Sequence, residues 1–279
     1  MTTFDPSADC LESLAPGSLD RSRRDACRSG MQTWVMPTGL DGNPNPIVTE
    51  ARTKVLERVA DRVDRCRGER VVVGIDGRSG SGKSTFADEL ARTVELRGRS
   101  VVRSTTDLFH RPREERMRLG TSSADGYFLH SHQIEAITDQ LLLPFRDGAV
   151  EVLVGAFDEP SDRPQRRMVT VPTSAVLIFD GLFVHRSEFL PLWDLSVMLR
   201  ADRRCDEAWL RYLEVDLPVD PVERAAELDR RLERARWPRY RHGWQKYIES
   251  VDPAAATMDI DNEDLESPAI ISDRTGLPK

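Results

Sequence analysis

The feature that most constrains the fold is the octapeptide GRSGSGKS at residues 77–84. It fits the pattern Gly-x-x-x-x-Gly-Lys-Ser/Thr, which is typical of phosphate-binding loops. The β-branched run Val71–Asp76 before it predicts a buried strand, and Ser84–Arg97 after it predicts a helix. Glycines let backbone N–H groups converge on phosphate oxygens, and a helix N-terminus favours negative charge. The segment therefore predicts a site for the phosphates of a nucleotide.

The side chains of this loop predict the cofactors. Lys83 supplies a compact positive charge to the terminal phosphates and is expected to act in catalysis, while the hydroxyl of Ser84 coordinates Mg²⁺. Asp180, at the end of the apolar run AVLIFDG, is the expected second residue of the Mg²⁺ site. The cofactors implied are ATP and Mg²⁺. The predicted cofactor-binding residues are Gly77, Ser79, Gly80, Ser81, Gly82, Lys83, Ser84 and Thr85.

The order of the predicted elements defines the fold class. From residue 48 onward, short apolar strands alternate with helical segments, which is typical of a parallel sheet covered by helices on both faces. We therefore predict an α/β fold of the P-loop NTPase type, with one domain over residues 48–265. Residues 1–47 are rich in proline and glycine and are predicted to form a flexible extension, and residues 266–279 a C-terminal tail.

Composition excludes several classes of protein. The net charge of −7 argues against a nucleic-acid partner, and no apolar run is long enough to cross a membrane. The four cysteines are widely spaced, which argues against a zinc knuckle or a disulfide scaffold and favours a reducing cytoplasm. We expect a cytoplasmic protein that acts on a small-molecule acceptor. The oligomeric state stays open, a homodimer included.

The motifs that surround the loop narrow the class of nucleotide-binding protein. The chain has no Asn/Thr-Lys-x-Asp motif, so a GTPase is not expected. Gly181 follows Asp180, so the acidic pair that motor and transporter ATPases use to polarise water is missing. Asp107 lies just past the next predicted strand, at the sheet edge where open α/β folds bind ligands. It could accept a proton from an acceptor hydroxyl, as a small-molecule kinase requires, or it could serve only as a turn or cap residue.

An ordered set of motifs over residues 70–265 resembles the uridine kinase/phosphoribulokinase group of P-loop kinases. The set comprises VGIDGRSGSGKST, TTDLFHRP, DGYF, LLLPFRDG, AFD, LIFDGLFVHRSE, an arginine-rich region and MDIDNED. Its order and spacing are similar to those of actinobacterial proteins labelled uridine kinase. The resemblance implies transfer of the γ-phosphoryl group of ATP to the 5′-hydroxyl of a nucleoside such as uridine or cytidine. Two alternatives stay open: a kinase of another hydroxyl metabolite (a sugar phosphate, a pantothenate-like acid or a natural-product intermediate), and a nucleotide-binding module without transferase activity.

The resemblance also implies roles for individual residues. Asp107 takes the position of the catalytic carboxylate, and His110 replaces the usual tyrosine. Arg204 and Arg211 lie where a helical lid carries phosphate-clamping arginines, so both are predicted to act in catalysis. Arg239 belongs to a stretch that closes the lid side of the site.

The chain departs from the family pattern where the acceptor would bind. Family nucleoside kinases usually carry aspartates after the Gly-Tyr/Phe segment, and this chain has His130 and His132 there. A metal site at the two histidines is not expected, because no third ligand lies near them in sequence. The predicted acceptor-binding residues are Asp107, His110, Tyr127, His130, His132, Asp158 and Arg239.

Overall fold

The strands form a mostly parallel sheet whose order places the phosphate-binding loop near its middle. The computed structural model describes residues 49–213, 217–234, 237–252 and 254–274, with the side chains of 209–213, 231–234, 237 and 238 excepted. In the large sheet the strand order is β2-β5-β1-β6-β7-β8. The first five of these strands are parallel to one another, and β8 is antiparallel to β7. The strands are β1 (Arg70–Gly77), β2 (Val101–Thr105), β3 (Glu151–Asp158), β4 (Arg163–Thr170), β5 (Ala175–Gly181), β6 (Leu195–Arg200), β7 (Met258–Asp261) and β8 (Ala269–Asp273).

Helices cover both faces of this sheet. On one face, Val59 and Leu90 pack against Val73 and Val197, and on the other face Phe145 packs with Leu177. The predicted α/β class is confirmed. No described helix combines the length and the apolar character needed to cross a membrane. The helices are α1 (Glu50–Arg65), α2 (Lys83–Leu96), α3 (Arg113–Arg116), α4 (Ala124–His130), α5 (Ile134–Ile137), α6 (Leu143–Arg146), α7 (Asp202–Leu213), α8 (Pro221–Arg234) and α9 (Trp237–Ser250).

The segment between β2 and β3 is more helical than the sequence indicates. We predict a polar loop over residues 111–128, but the structure has α3 and α4 there. The side chain of Ser123 caps α4 by accepting a hydrogen bond from the N–H of Gly126 at 3.0 Å. The sequence also predicts a helix over residues 131–145, and the structure has helical segments over residues 134–146, with a π-helical turn, Thr138–Leu142, between α5 and α6. These short helices bring the DGYF segment against the rest of the site.

A separate two-stranded hairpin, β3 with β4, stands beside the large sheet. The sequence predicts only a short second strand near residue 168, but β4 begins at Arg163. Pro164 is tolerated there because this hairpin strand has only one partner in the described structure. The pairing of Asp158 with Arg163 brings the end of β3 to the edge of the acceptor cavity described below.

The large sheet continues into the segment predicted as a C-terminal tail. Residues Ala269–Asp273 form β8, which pairs antiparallel with β7. Buried Asp259 joins the two strands, because its carboxylate accepts hydrogen bonds from Arg200, Arg274 and Ser272. The predicted N-terminal extension, residues 1–47, lies outside the described residues.

Candidate active site

The phosphate-binding loop connects the end of β1 to the start of α2 at Lys83. Gly80 and Gly82 have φ angles of 87° and 85°, in the left-handed region that disfavours other residues. A Cβ atom on Gly82 would lie 3.0 Å from Nδ2 of Asn262, so this glycine also permits a close approach. That amide nitrogen donates a hydrogen bond to the carbonyl of Ser81 at 2.7 Å. The loop is therefore held in shape from beneath by a buried asparagine.

Ser84 and Asp180 lie together, as the sequence predicts. The hydroxyl of Ser84 donates a hydrogen bond to Oδ2 of the buried Asp180 at 2.9 Å. Arg103 contacts the other carboxylate oxygen at 2.9 Å and so fixes its orientation. A hydroxyl and a carboxylate are hard oxygen donors of the kind that Mg²⁺ prefers. The residues present therefore fit the expected Mg²⁺ ion.

Two other predicted residues, Lys83 and Arg204, lie at the loop. The Nζ atom of Lys83 donates to the carbonyl of Arg78 at 3.0 Å, and the Nε atom of Arg204 donates to the carbonyl of Gly80 at 3.2 Å. An ion pair of 2.6 Å between Arg78 and Asp206 ties the loop to α7. The predicted partner of Arg204 on this helix, Arg211, has a side chain outside the described part of the structure.

Asp107 lies at the same sheet edge as the Mg²⁺ pair. It lies two residues past the end of β2, and Thr105, the last residue of β2, is paired in register with Asp180 of β5. The Thr105 side chain accepts a hydrogen bond from the N–H of Asp107 at 3.4 Å and caps the short 3₁₀ turn that carries it. The Asp107 side chain is exposed. The geometry therefore puts a carboxylate within the reach of a bound small molecule.

A cavity of about 440 Å³ opens beside Asp107. Its described wall includes five of the seven predicted acceptor-binding residues, while His130 is half-buried at the end of α4 and His132 is buried behind His110. The cavity has a size typical of small-molecule sites. Its lining residues are Asp107, Leu108, His110, Arg116, Met117, Tyr127, Ser131, Phe157, Asp158, Glu159, Pro160, Arg167, Arg239 and Tyr240.

Two histidines and Asp107 come together in space, contrary to the expectation from sequence spacing. The ring centroids of His110 and His132 are 4.8 Å apart, and one ligand atom from each of the three residues lies within 4.8 Å of the others. His132 is buried, and its Nε2 atom has no hydrogen-bond partner among the described residues. Burial, followed by the charges of His110 and nearby arginines, lowers the pKa of His132 well below its usual value. The ring is therefore neutral at neutral pH.

Arg239 forms part of the cavity wall, and its described hydrogen bonds shape that wall. It is buried and donates to the carbonyls of Arg116 at 2.9 Å, Ser123 at 3.2 Å and Gly120 at 3.3 Å. The guanidinium also stacks on the ring of Tyr127, 5.8 Å from its centroid. These contacts hold the segment before α4 against α9.

We expect the substitution Arg239→Lys to loosen this segment without disturbing the sheet. An ammonium cannot reproduce the planar fork that serves three carbonyls, so two hydrogen bonds of about 1 kcal/mol each should be lost. Amide hydrogen exchange over residues 116–123 should become about tenfold faster or more, as measured by mass spectrometry. Arg241→Lys, an exposed change on the same helix, is the matched control. Equal exchange in the two variants would contradict this role for Arg239.

A buried polar network beneath the loop was not predicted. Asp76, which immediately precedes Gly77, accepts hydrogen bonds from the backbone N–H and the Nδ1 of His185, both at 2.9 Å, and from the hydroxyl of Tyr247. Burial alone would raise the pKa of Asp76, but the bonds from His185 and Tyr247 lower it. The network joins β1 to α9. The sequence signal that could have indicated this network is an aspartate directly after the apolar run Val71–Ile75, at the end of a strand that is otherwise buried.

The comparisons with known proteins agree with this geometry. The chain is 27% identical over 153 residues to the uridine kinase of Leuconostoc citreum (strain KM20), a match that covers 53% of this chain and 69% of that protein. The structure of a possible uridine kinase from Bacillus stearothermophilus superposes with a TM-score of 0.55 at 23% identity, over 72% of this chain and 94% of that one. The resemblance to the uridine kinase-like P-loop kinases is confirmed.

Structures that share this fold are named for different substrates. A candidate fructose transport system kinase from Silicibacter sp. TM1040 superposes with a TM-score of 0.55 at 19% identity, over 72% of this chain and 96% of that one. No protein-family model matches the chain. The comparisons thus support a P-loop kinase with a small-molecule substrate, and the named substrates differ among the similar proteins.

Proposed function

We propose that this protein is an ATP-dependent kinase that transfers the γ-phosphoryl group to a hydroxyl of a small molecule. The observation that carries the proposal is the common sheet edge of Asp107 and the Ser84–Asp180 pair, with a cavity of about 440 Å³ beside it. Phosphoryl transfer depends mainly on positioning and on neutralising charge, and both require this proximity. The role of each predicted site residue is part of the proposal.

Each of these residues has its own role in the proposed reaction. The N–H groups of the loop and the ammonium of Lys83 hold the phosphates, and Arg204 neutralises the charge that develops during transfer. Ser84 and Asp180 would hold Mg²⁺, which supplies further neutralisation of the phosphate oxygens when bound. Asp107 orients the acceptor hydroxyl and accepts its proton. Arg211, on the same helix as Arg204, is proposed as a second phosphate contact.

The acceptor proposed first is the 5′-hydroxyl of uridine or cytidine. The similarity to proteins named uridine kinase supports it. In the cavity wall, Tyr127 and Tyr240 supply aromatic surface, with ring centroids 4.7 Å apart. The aspartates that usually hold the ribose are absent after Tyr127, and Asp158 is the proposed substitute because it lines the same cavity.

A second class of acceptor, a hydroxyl metabolite with an anionic group, is favoured by two arginines in the wall. Arg116 and Arg167 both line the cavity. Each also faces a carboxylate, since Arg116 lies 3.1 Å from Glu159 and Arg167 lies 3.7 Å from Asp158. Because these pairs neutralise much of the positive charge, a neutral nucleoside remains the first proposal.

We also propose that the protein is cytoplasmic and has no nucleic-acid partner.

A panel of acceptors tests the proposal. Purified protein, Mg²⁺ and ATP are combined with nucleosides, sugars, sugar phosphates and pantothenate-like acids, and ADP release and phosphorylated product are measured. We expect turnover with uridine or cytidine, and none in the variant Lys83→Ala. Turnover confined to the other metabolites would overturn the nucleoside but keep the kinase. Nucleotide binding without any phosphorylated product would favour a nucleotide-binding module.

A further inference from the structure

The fold brings three side chains of types that bind metals together at one corner beside the cavity: Asp107 and His110 line the wall, and His132 lies behind them. His110 and His132, distant in sequence, form an isolated antiparallel β-bridge. The side chain of Gln133 donates to the carbonyl of His110 at 2.6 Å, and the N–H of Gln133 donates to the carbonyl of Phe109 at 2.8 Å. These backbone contacts fix the two histidines next to each other and beside Asp107, which lies in the 3₁₀ turn directly before His110.

The two rings present free nitrogen atoms. The Nδ1 atom of His110 donates to the carbonyl of Asp107 at 3.0 Å, so Nε2 keeps the lone pair that a metal ion needs. The Nε2 atom of His132 is buried and has no partner among the described residues. Buried polar atoms are nearly always satisfied by a protein group, water or an ion. This unpartnered ring nitrogen is therefore available to a water molecule or a metal ion.

The set of donors matches a borderline metal ion rather than Mg²⁺. Two imidazoles and one carboxylate are ligands that Zn²⁺ and similar ions prefer, whereas Ser84 and Asp180 offer only oxygen. The three ligand atoms lie within 4.8 Å of one another, so a central point is at most about 2.8 Å from each. Rotations that move each atom by less than about 1 Å would reach Zn–N and Zn–O bond lengths.

The charges around the corner permit a cation. Three guanidinium groups lie nearby, but each has a carboxylate partner that offsets its charge. Asp107 adds a negative charge of its own at the mouth of the site. The three pairs are Arg111 with Glu135 at 3.0 Å, Arg116 with Glu159 at 3.1 Å, and Arg186 with Glu188 at 2.7 Å.

We propose that Asp107, His110 and His132 bind a divalent transition-metal ion of the Zn²⁺ class, at a site separate from that of Mg²⁺. Asp107 offers one carboxylate oxygen to the ion, and its other oxygen stays available to the acceptor hydroxyl as proposed above. Three protein ligands leave a fourth position, which water or an acceptor hydroxyl can fill because Asp107 and His110 line the cavity. The site depends on the arrangement of these side chains and not on the reaction proposed above.

Metal binding by the full chain tests the site directly. The protein is stripped with a chelator and titrated with Co²⁺ without nucleotide, and the visible absorption of four-coordinate Co²⁺ is recorded. We expect one equivalent to bind, to be displaced by Zn²⁺ and to resist millimolar Mg²⁺. His110→Gln and His132→Gln should each weaken binding at least about 100-fold, since each removes a ligand. His242→Gln, a change of an exposed histidine on α9, should bind as the wild type does.

Two results would overturn the site: no stoichiometric Co²⁺ or Zn²⁺ binding by the wild type, or equal binding by the wild type, His110→Gln and Asp107→Asn. Because His132 is buried, circular dichroism first checks that His132→Gln folds; if it does not, the two changes at less buried positions decide. The outcome is separable from the proposed function. Metal binding without any phosphorylated acceptor keeps the site, and phosphorylation by a protein that binds no such metal removes the site alone.

Discussion

Asp107→Asn is expected to lower phosphotransfer by about 10²- to 10⁴-fold while the affinity for ATP stays within about twofold. The amide has almost the same shape as the carboxylate but cannot take a proton from the acceptor. Asp107 is exposed in the turn after β2, whereas the nucleotide phosphates would be held by the loop after β1. The two functions therefore reside in different elements and should separate in one variant.

Two quantities are measured for each variant. The transfer rate is followed by ADP release with the acceptor that the panel identifies, and the affinity for ATP is measured by calorimetry. Asp125→Asn is the matched control, because Asp125 is also an exposed carboxylate and pairs with Lys246 on α9 at 2.6 Å. That variant should keep both activities. Should Asp107→Asn lose ATP affinity, or keep most of its transfer rate, the assignment of Asp107 as the base would be wrong.

The parts of the site that the sequence predicts are those that depend on local pattern and strand register. The loop follows from its own glycines and from the strand and helix that flank it. The Ser84–Asp180 contact follows because parallel strands end at the same edge of a sheet, so a carboxylate at the end of β5 must lie near a loop after β1. Such placements need no knowledge of how the loops run.

The cluster of Asp107, His110 and His132 could not be predicted in the same way. It depends on a bridge between two irregular segments, and no periodic pattern encodes a contact of this kind. The same reason explains α3 and α4, whose short lengths give no helical period to detect, and the early start of β4. Asp76 and Asn262 are buried polar residues whose partners come from distant parts of the chain.

Arg52→Ala is expected to lower the free energy of unfolding by about 3–5 kcal/mol. Arg52 is a fully buried arginine of α1, and its Nε atom pairs with Glu89 of α2 at 2.5 Å. It also donates to Oδ1 of Asn262 at 3.2 Å and to the carbonyl of Leu265 at 3.1 Å. Removing the guanidinium would abolish a buried ion pair and two further hydrogen bonds at once, and these losses dominate the cost.

Urea unfolding followed by circular dichroism measures this cost. Lys54→Ala on the same helix is the matched control: it breaks the exposed ion pair between Lys54 and Glu50 and should cost less than about 1 kcal/mol. The double variant Arg52→Met/Glu89→Leu should regain most of the stability, because an apolar pair of similar volume removes both buried charges. A loss for Arg52→Ala no larger than that for Lys54→Ala would contradict the argument.

The double variant Arg52→Met/Glu89→Leu also distinguishes the effect of Arg52 on stability from its effect on the shape of the phosphate-binding loop. Asn262 bonds Arg52 through its oxygen and Ser81 of the loop through its nitrogen, so Arg52 orients the amide that supports the loop. The double variant should be stable but should still lack this orientation. We therefore expect it to bind ATP more weakly than the wild type, by about fivefold to tenfold for the loss of one buried hydrogen bond. Wild-type ATP affinity in the stable double variant would show that Arg52 serves only the packing of α1 on α2.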